Sequence, residues 1–256
     1  MEKKIAIITG ASTGLGREFT RLIAGENLDE IWAVARGRDK LETLRKELGE
    51  ILVPVICDLS RREEVHRIGE LLRERHPEVV YLVNNAGTGR LEEGSHFSSD
   101  ELEATIQLNC TTVAVLCNTC LPYMKEGGHI INIASQAAFQ PLPYMSLYAA
   151  TKVFVRHYTR SLNVELKGRG ILATAVCPGW IKTDLLPNFS KGKKIRFPGE
   201  VEAARVAAKA MKDVKKGKDM SVCTLLIKIL HVLAKLLPQR VIFPMWLWYV
   251  KRYVGQ

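Results

Sequence analysis

The sequence contains no apolar run of the roughly 20 residues that a helix needs to cross a lipid bilayer. Its two most apolar stretches, residues 225–237 and 241–250, are both shorter, and the first contains two lysines. Residues 1–3 lead directly into an apolar, strand-like run, so we expect no signal peptide. These features favour a cytoplasmic protein.

Acidic residues are outnumbered by basic ones, but no recognisable nucleic-acid-binding motif accompanies the excess. The chain has 37 Lys and Arg against 27 Asp and Glu, a formal net charge of +10. The positive charge is concentrated at residues 191–196 and 212–218. This pattern indicates solvated helix ends, so we expect no nucleic-acid partner. With 256 residues, 47% of them hydrophobic and 25% charged, the chain has the composition of a globular protein.

The six cysteines lack the partners that a redox or metal site requires. Cys117 and Cys120 form a CxxC pattern, but they lie inside a helical pattern that runs from residue 109 to residue 124. A redox pair lies at a helix N-terminus, and a zinc site needs further ligands. We therefore predict buried structural thiols and no metal.

Residues 4–9 are the first informative stretch of the sequence. They form a nearly uninterrupted apolar run, which is typical of a strand buried on both faces. A glycine-rich turn, G-A-S-T-G-L-G, follows, and then a helical pattern from Arg17. This order predicts a dinucleotide site, because glycines let a pyrophosphate approach the backbone N–H groups of the helix N-terminus. The candidate contacts are Gly10, Ser12, Thr13, Gly14, Leu15 and Gly16.

The second predicted strand, residues 30–35, ends without the acidic residue that would bind the ribose 2′-hydroxyl of NAD. Arg36 stands there instead, with Arg38 close by. A guanidinium matches a 2′-phosphate through its planar set of donors. We therefore predict NADP as the cofactor; the alternative is that both arginines are simply exposed.

The next two strands also end in residues suited to a nucleotide. Residues 51–57 precede Asp58, which would either meet an adenine amino group or cap the following helix. Residues 79–83 precede an Asn-Asn-Ala-Gly segment, in which Gly87 would leave room for a ribose or a nicotinamide. The candidate contacts in these segments are Asp58, Leu59, Asn85, Ala86 and Gly87.

The most specific group of residues follows an apolar run that ends at Ser135. Tyr148 lies one helical turn before Lys152, so their side chains share a face. A neighbouring ammonium should lower the pKa of Tyr148, which could then exchange a proton with a substrate oxygen held by Ser135. Asn109, an isolated polar residue in a helical stretch from 100 to 124, would hold water beside Lys152 or join two helices.

A sixth predicted strand, residues 170–177, ends in a Pro-Gly turn. Strands and helices alternate from residue 1 to about residue 180, which predicts an α/β fold with a doubly wound parallel sheet. Ligands bind outside the carboxyl ends of the strands in such sheets, where these candidate residues also lie. The candidate contacts to a nicotinamide carboxamide after the sixth strand are Pro178, Gly179, Ile181 and Thr183.

In combination, these motifs resemble those of the short-chain dehydrogenase/reductase family. The matches are T-G-A-S-T-G-L-G at 9–16, N-N-A-G at 84–87, Asn109, Ser135, Y-A-A-T-K at 148–152, and C-P-G at 177–179 with Thr183. The resemblance implies one Rossmann-type domain over residues 1–256, with about seven strands and helices on both faces. The seventh strand is indicated only weakly, near residue 220.

The resemblance also implies a chemistry and an assembly. Tyr148 would be the general acid/base, and Lys152 would lower its pKa and bind the nicotinamide ribose. Ser135 would hold the substrate oxygen, and Asn109 would position a relay water. The implied reaction is hydride transfer between the nicotinamide and a carbonyl carbon. Members of the family are commonly dimers or tetramers, so a homo-oligomer is expected.

Two C-terminal stretches bear on the substrate. The resemblance implies that residues 185–198 form a substrate lid. Residues 221–256 form a hydrophobic helical extension, in which leucines surround one polar stripe. It would pack on its own domain or on a partner subunit, form a lid over an apolar substrate, or contact a membrane surface; we favour these in that order. An apolar extension favours a lipophilic small-molecule substrate such as a steroid, a bile acid or an acyl chain.

Three functions remain open from the sequence. The first is an NADP(H)-dependent oxidoreductase of lipophilic alcohols and ketones, similar to hydroxysteroid dehydrogenases. The second is a reductase of 3-oxoacyl thioesters, whose acidic carrier protein would suit the basic surface. The third is a non-catalytic NADP-binding protein. The presence of Ser135, Tyr148 and Lys152 together favours an enzyme.

Overall fold

Six apolar runs and the two-residue strand Met220–Ser221 form one parallel sheet in the described part of the chain, and its middle strands are buried on both faces. The structure is a computed structural model that describes residues 2–182, 189–190, 193–194 and 199–250. The strand order is β3-β2-β1-β4-β5-β6-β9, so the direction of winding reverses between β1 and β4. The strands are β1 (Lys4–Thr9), β2 (Glu30–Ala35), β3 (Leu52–Ile56), β4 (Glu78–Asn84), β5 (His129–Ile133), β6 (Leu172–Val176) and β9 (Met220–Ser221).

Helices cover both faces of the sheet, because alternate residues of each strand point to opposite sides. The helices are α1 (Gly14–Ile23), α2 (Arg38–Leu48), α3 (Arg62–Arg75), α4 (Ser99–Ile106), α5 (Thr112–Cys120), α6 (Ser146–Glu165), α7 (Ala203–Val214), α8 (Leu225–Leu236) and α9 (Gln239–Val250). Ile5 and Ile7 of β1 pack in a cluster with α3, α5 and α6. Ala6 and Ile8 pack on the other side with α1, α2 and α7. The predicted doubly wound parallel sheet is confirmed.

The long helix predicted for residues 100–124 is interrupted. Gln107–Thr111, between α4 and α5, is π-helical. Together these segments, Ser99–Tyr123, are long and apolar enough by composition to cross a membrane. The α5 part packs against α3 and β4 in the core. Cys117 and Cys120 are fully buried there, as predicted for structural thiols.

Parts of the two C-terminal predictions lie outside the described residues. Residues 251–256 of the extension are among these, and Thr183, the predicted contact to the nicotinamide carboxamide, also lies outside the described residues. Within the predicted lid, 185–198, only a short antiparallel pair is described, formed by β7 (Phe189–Ser190) and β8 (Lys193–Lys194). The C-terminal extension forms α8 and then α9, which contains Pro244.

Candidate active site

The carboxyl ends of the strands open into one cleft of about 1000 Å³. It lies where the direction of winding reverses, which is where doubly wound sheets bind ligands. The cleft brings together residues from almost the whole length of the chain, from Gly10 to Tyr249. The predicted site residues that line it are Gly10, Thr13, Gly14, Leu15, Arg36, Asn85, Ala86, Gly87, Ser135, Tyr148, Lys152, Pro178, Gly179 and Ile181.

The glycine turn after β1 is held against the end of β4. Asn85 Nδ2 donates to the carbonyl oxygens of Thr9 at 3.1 Å and Gly10 at 3.2 Å. Gly10 has φ +63°, and a Cβ there would lie 2.7 Å from Asn85 Nδ2. A Cβ on Gly16 would lie 2.2 Å from the Gly10 carbonyl oxygen. Gly16 therefore packs behind the turn instead of lining the cleft.

The N-terminus of α1 has the features of an anion site. The Thr13 side chain caps none of its N–H groups, and the first turn contains no acidic residue. The first N–H groups of a helix carry partial positive charge and lack partners within the helix. Because the turn faces the cleft and the glycines leave room for close approach, a pyrophosphate fits here.

Arg36 is exposed at the rim of the cleft, directly after β2. Asp58, at the end of β3, accepts hydrogen bonds from the Ser60 backbone N–H at 3.1 Å and the Ser60 hydroxyl at 2.7 Å. Burial opposes its ionisation, but these bonds and the positive charge of Arg36 lower the pKa of Asp58. Asp58 thus closes the turn before α3, while Ser60 lines the cleft.

Several predicted contacts do not line the cleft. Leu59 is 4% exposed in the core, and its carbonyl accepts a hydrogen bond from the Thr112 hydroxyl at 2.9 Å. Arg38 begins α2 and is exposed outside the cleft, and Ser12 is half-buried in the glycine turn without lining the cleft. The predicted residues that are not among the lining residues are Ser12, Gly16, Arg38, Asp58, Leu59 and Asn109.

Asn109 lies in the π-helical segment and is almost fully buried. Its Oδ1 accepts from the Thr88 backbone N–H at 2.9 Å, and its Nδ2 donates to the Thr88 carbonyl at 2.8 Å. Nδ2 also donates to the Thr151 hydroxyl at 3.1 Å. A Cβ on Gly87 would lie 3.2 Å from Asn109 Oδ1 and 3.5 Å from Lys152 Nζ. Asn109 therefore joins the end of β4 to the helix that carries Lys152.

Ser135 and Tyr148 meet in the cleft. Ser135 follows β5, and its Oγ accepts from the Ala137 backbone N–H at 3.1 Å. Tyr148 lies in the first turn of α6, with its ring against Gly89. A Cβ on Gly89 would lie 2.7 Å from Tyr148 Cδ2, so only glycine leaves space for the ring at this position. The two hydroxyls can thus face one substrate atom.

Lys152 is deeply buried beside Tyr148. It is 5% exposed, its Nζ donates to the Ile133 carbonyl at 2.7 Å, and Nζ lies 5.7 Å from the centroid of the Tyr148 ring. Burial lowers the pKa of Lys152 to about 8, although Cys110 and Cys177 oppose this. The Lys152 amine therefore titrates much closer to neutral pH than an exposed lysine does.

The pKa of Tyr148 is raised, which contradicts the predicted fall. Burial is the main cause, and the neighbouring Ser135 hydroxyl opposes it. The sequence spacing correctly placed Lys152 one turn away, but it gave no measure of the dehydration of either group. Dehydration disfavours both charged forms, so it moves the pKa of the phenol up and that of the amine down.

The far end of the cleft is apolar and is built largely from α8 and α9. No residue of these two helices is among the site residues predicted from the sequence. Its lining there includes Leu226, Leu230, Leu233, Leu237, Ile242, Met245, Trp246 and Tyr249. Trp246 Nε1 donates to the Pro143 carbonyl at 2.8 Å, which ties α9 to the turn before α6. The feature of the sequence that points to this lining is the apolar character of residues 221–256, for which a lid over the substrate is one of three interpretations.

Comparisons with known proteins agree with this geometry. The family described as short chain dehydrogenase matches residues 4–194. An uncharacterised oxidoreductase of Staphylococcus aureus strain N315 is 30% identical over 216 residues, which cover 82% of this chain and 93% of that protein. The chain therefore belongs to the short-chain dehydrogenase family, a family of oxidoreductases.

Solved structures share the fold and carry both nicotinamide cofactors. A short-chain dehydrogenase from Sphingobium yanoikuyae in complex with NADPH has a TM-score of 0.77 and 28% identity, covering 87% of this chain and 88% of its own. A short-chain dehydrogenase/reductase from Burkholderia phymatum in complex with NAD has a TM-score of 0.78. It is 23% identical, over 91% of this chain and 92% of its own, and so shows the fold alone.

Proposed function

We propose that the protein is an NADP(H)-dependent oxidoreductase that interconverts a secondary alcohol and a ketone on a lipophilic substrate. One observation carries the proposal: a single cleft joins a pyrophosphate-sized glycine turn, the Ser135, Tyr148 and Lys152 side chains, and an apolar chamber. Each part alone is common. Their order along the cleft matches a cofactor followed by a substrate.

NADP fits the nucleotide end better than NAD does. The end of β2 has Arg36 at the rim and no acidic residue before α2. A 2′-phosphate would receive charge-assisted hydrogen bonds from the guanidinium, whereas the 2′-hydroxyl of NAD would find no carboxylate acceptor at this strand end. The NADPH complex of the Sphingobium yanoikuyae relative supports this choice.

The protein's own contribution to the reaction is orientation and proton transfer. When bound, the nicotinamide supplies or accepts the hydride. The Ser135 hydroxyl donates a hydrogen bond to the substrate carbonyl oxygen, and Tyr148 donates its proton to that oxygen during reduction. The raised pKa of Tyr148 keeps its proton in place until the oxygen gains negative charge. Lys152 Nζ, held by the Ile133 carbonyl, stabilises the phenolate that remains.

The chamber beyond Tyr148 selects for an apolar substrate. Its walls are mainly leucine side chains of α8 and the inner face of α9, with Leu142 and Met145 from the turn before α6. Burying an apolar group there gains roughly 25 cal/mol per Å² of surface removed from water. A steroid, bile acid or long acyl chain suits these walls, and a small polar ketone does not.

The direct test follows oxidation of NADPH and, separately, NADH against keto-steroids, keto-bile acids and acetoacetyl thioesters. We expect turnover of one lipophilic class with NADPH. Tyr148→Phe should lower kcat by about 10²- to 10⁴-fold while leaving NADPH binding intact. Tight NADPH binding without turnover of any class would support a non-catalytic binding protein, and turnover of acyl carrier thioesters alone would support the thioester reductase.

Arg36 and Arg38 provide a matched pair for the cofactor assignment. Arg36→Ala should weaken NADPH binding by about 10- to 100-fold, since it removes hydrogen bonds to a charged group. Arg38→Ala removes an equal charge outside the cleft and should change it little. Equal effects of the two substitutions, or a preference of the unmodified protein for NADH, would exclude the role given to Arg36.

We further propose a homo-oligomer in the cytoplasm, in which residues 1–256 form one domain. The support is the family's usual assembly and the apolar side chains exposed on α6, such as Phe154 and Val164. Sedimentation velocity on purified protein tests the assembly. A monomer at micromolar concentration would exclude it.

A further inference from the structure

The two C-terminal helices carry apolar side chains on the side that faces away from the cleft. On α8, Leu225 and Leu236 are 72% and 73% exposed, and Ile229 and Val232 are also exposed. None of these four lines the cleft. They are large aliphatic side chains on neighbouring turns of one helix. They therefore form a continuous apolar patch, unlike single exposed apolar residues, which are common on protein surfaces.

The angular arrangement of α8 separates three surfaces. At about 100° per residue, the outward aliphatic residues span about 60° of arc and the cleft-facing residues span about 120°. The polar residues Lys228, His231 and Lys235 share a further stripe of about 60°. A helix that covers a cleft and faces water on its other side needs only one apolar stripe. The second apolar stripe of α8 therefore has no role in the cleft.

The following helix, α9, also exposes apolar side chains. Val241 and Trp248 are exposed there, two helical turns apart on one side, and neither lines the cleft. The helix is held in place, since Trp246 Nε1 bonds the Pro143 carbonyl and Ile242 and Val250 are buried. We call Leu225, Ile229, Val232, Leu236, Val241 and Trp248 the outer apolar face.

The charges within the segment that carries this face have one sign. The sequence from residue 220 to residue 256 contains no Asp or Glu. Its lysines and arginines are Lys228, Lys235, Arg240, Lys251 and Arg252. The first three are in the described part of the chain, and Lys235 and Arg240 are exposed there. An apolar stripe flanked by basic residues, with a Trp at one end, is the pattern of helices that lie in the headgroup region of a membrane.

We propose that the outer apolar face docks the protein onto an anionic lipid surface, with α8 and α9 lying in the interface and not across the bilayer. Anionic headgroups would pair with the basic residues while the aliphatic side chains enter the acyl boundary. A second copy of the chain fits less well. A two-fold contact through this face would bring the flanking Lys228 and Lys235 of both copies towards each other, and the segment itself offers no carboxylate to pair with them.

The same helices connect this surface to the cleft. Leu226, Leu230 and Leu233 of α8 line the cleft, one or two positions from the outward residues. A protein docked in this way would present the apolar end of its cleft to the leaflet in which a lipophilic substrate dissolves. This consequence rests on the proposed function, whereas the docking itself does not.

Vesicle co-flotation of the full chain tests the docking without cofactor or substrate. The probes are vesicles of phosphatidylcholine alone and vesicles with 30% phosphatidylglycerol, at 50 mM and 500 mM NaCl. We expect binding to the anionic vesicles, weakened at least fivefold by the higher salt because charge pairing is screened. No binding to anionic vesicles at 50 mM NaCl, or equal binding to neutral vesicles, would overturn the proposal.

Variants separate the apolar from the charged contribution. Leu225→Gln with Leu236→Gln should reduce binding at least tenfold, and Lys228→Gln with Lys235→Gln should reduce it and flatten its salt dependence. Leu22→Gln is the control, because Leu22 is an exposed leucine on α1, at 38%. A thermal midpoint and NADPH binding like those of the unmodified protein establish that each variant is folded. Equal loss in the control, or a dimer that only the leucine variant dissociates, would refute docking to lipid.

Discussion

Replacing Lys152 by methionine should stabilise the protein. The gain over the unmodified protein should be larger at neutral pH than at alkaline pH. The reason is that Lys152 is buried and donates to the Ile133 carbonyl, while no carboxylate of the described residues lies in ion-pair distance of its ammonium. In the unfolded chain the amine titrates near its ordinary pKa of 10.5, and in the folded protein near 8. Between these values the unfolded state binds more protons, so the stability of the unmodified protein rises with pH.

The expected magnitude follows from this difference. A tenfold change in proton affinity corresponds to about 1.4 kcal/mol, so below pH 8 the charged Lys152 lowers the free energy of unfolding by about 3 kcal/mol. At pH 9.5 most folded molecules have released this proton, and roughly 2 kcal/mol of that penalty is gone. Methionine at this position has no such dependence. The stability difference between variant and unmodified protein should therefore change by about 2 kcal/mol between pH 7 and pH 9.5.

Urea unfolding of the cofactor-free protein at pH 7 and pH 9.5 measures this change. The lost hydrogen bond to the Ile133 carbonyl and any change in packing act at both pH values and largely cancel. Lys212→Met is the control, because Lys212 is exposed on α7 and keeps its hydration on folding. A stability difference for Lys152→Met that is the same at both pH values, within about 0.5 kcal/mol, would refute the inference that burial lowers the pKa.

Three further predictions concern the glycine turn, the buried amides and the thiols. Gly16→Ala should abolish tight NADPH binding in a fluorescence titration, because its Cβ would lie 2.2 Å from a backbone oxygen; Gly37→Ala, with nothing within 4 Å, should not. Asn132→Ala should lower the free energy of unfolding by about 2 to 3 kcal/mol, measured by urea titration, since it leaves buried hydrogen-bond partners unpaired; a change below 0.5 kcal/mol would contradict this. Cys117 and Cys120 should resist alkylation until the protein unfolds, because both are fully buried and burial raises the pKa of Cys117 to about 12; their rapid labelling in native buffer would show that this part of the core opens.

The fold and much of the cleft follow from local patterns. Buried parallel strands read as continuous apolar runs, and the residues after them face the cleft because the carboxyl ends of parallel strands share one edge. This reasoning placed Gly10, Arg36, Ser135 and Tyr148 correctly in the cleft. Their roles there remain proposals that the kinetic experiments test.

The predictions from the sequence that were wrong or incomplete concern properties that depend on distant parts of the chain. Leu59 follows a strand end as Asp58 does, but its side chain turns into the core. The π-helical turn at Asn109 accompanies its hydrogen bonds to Thr88, 21 residues away, and no local pattern encodes it. The dehydration of Tyr148 arises from strands, turns and the C-terminal helices together, so spacing alone gave the wrong direction for its pKa.

The burial that destabilises Lys152 is also what makes it effective beside Tyr148. A charge in water acts weakly on a group several ångströms away, whereas the same charge with little hydration acts strongly. A more exposed lysine would stabilise the fold and would weaken this influence on the phenolate. We therefore expect Lys152→Met to lower turnover as well, from the same cause as the pH dependence of stability. A Lys152→Arg variant separates them, because a guanidinium keeps the charge at every accessible pH. It should remove the pH dependence of stability between pH 7 and pH 9.5 while keeping a positive charge beside Tyr148.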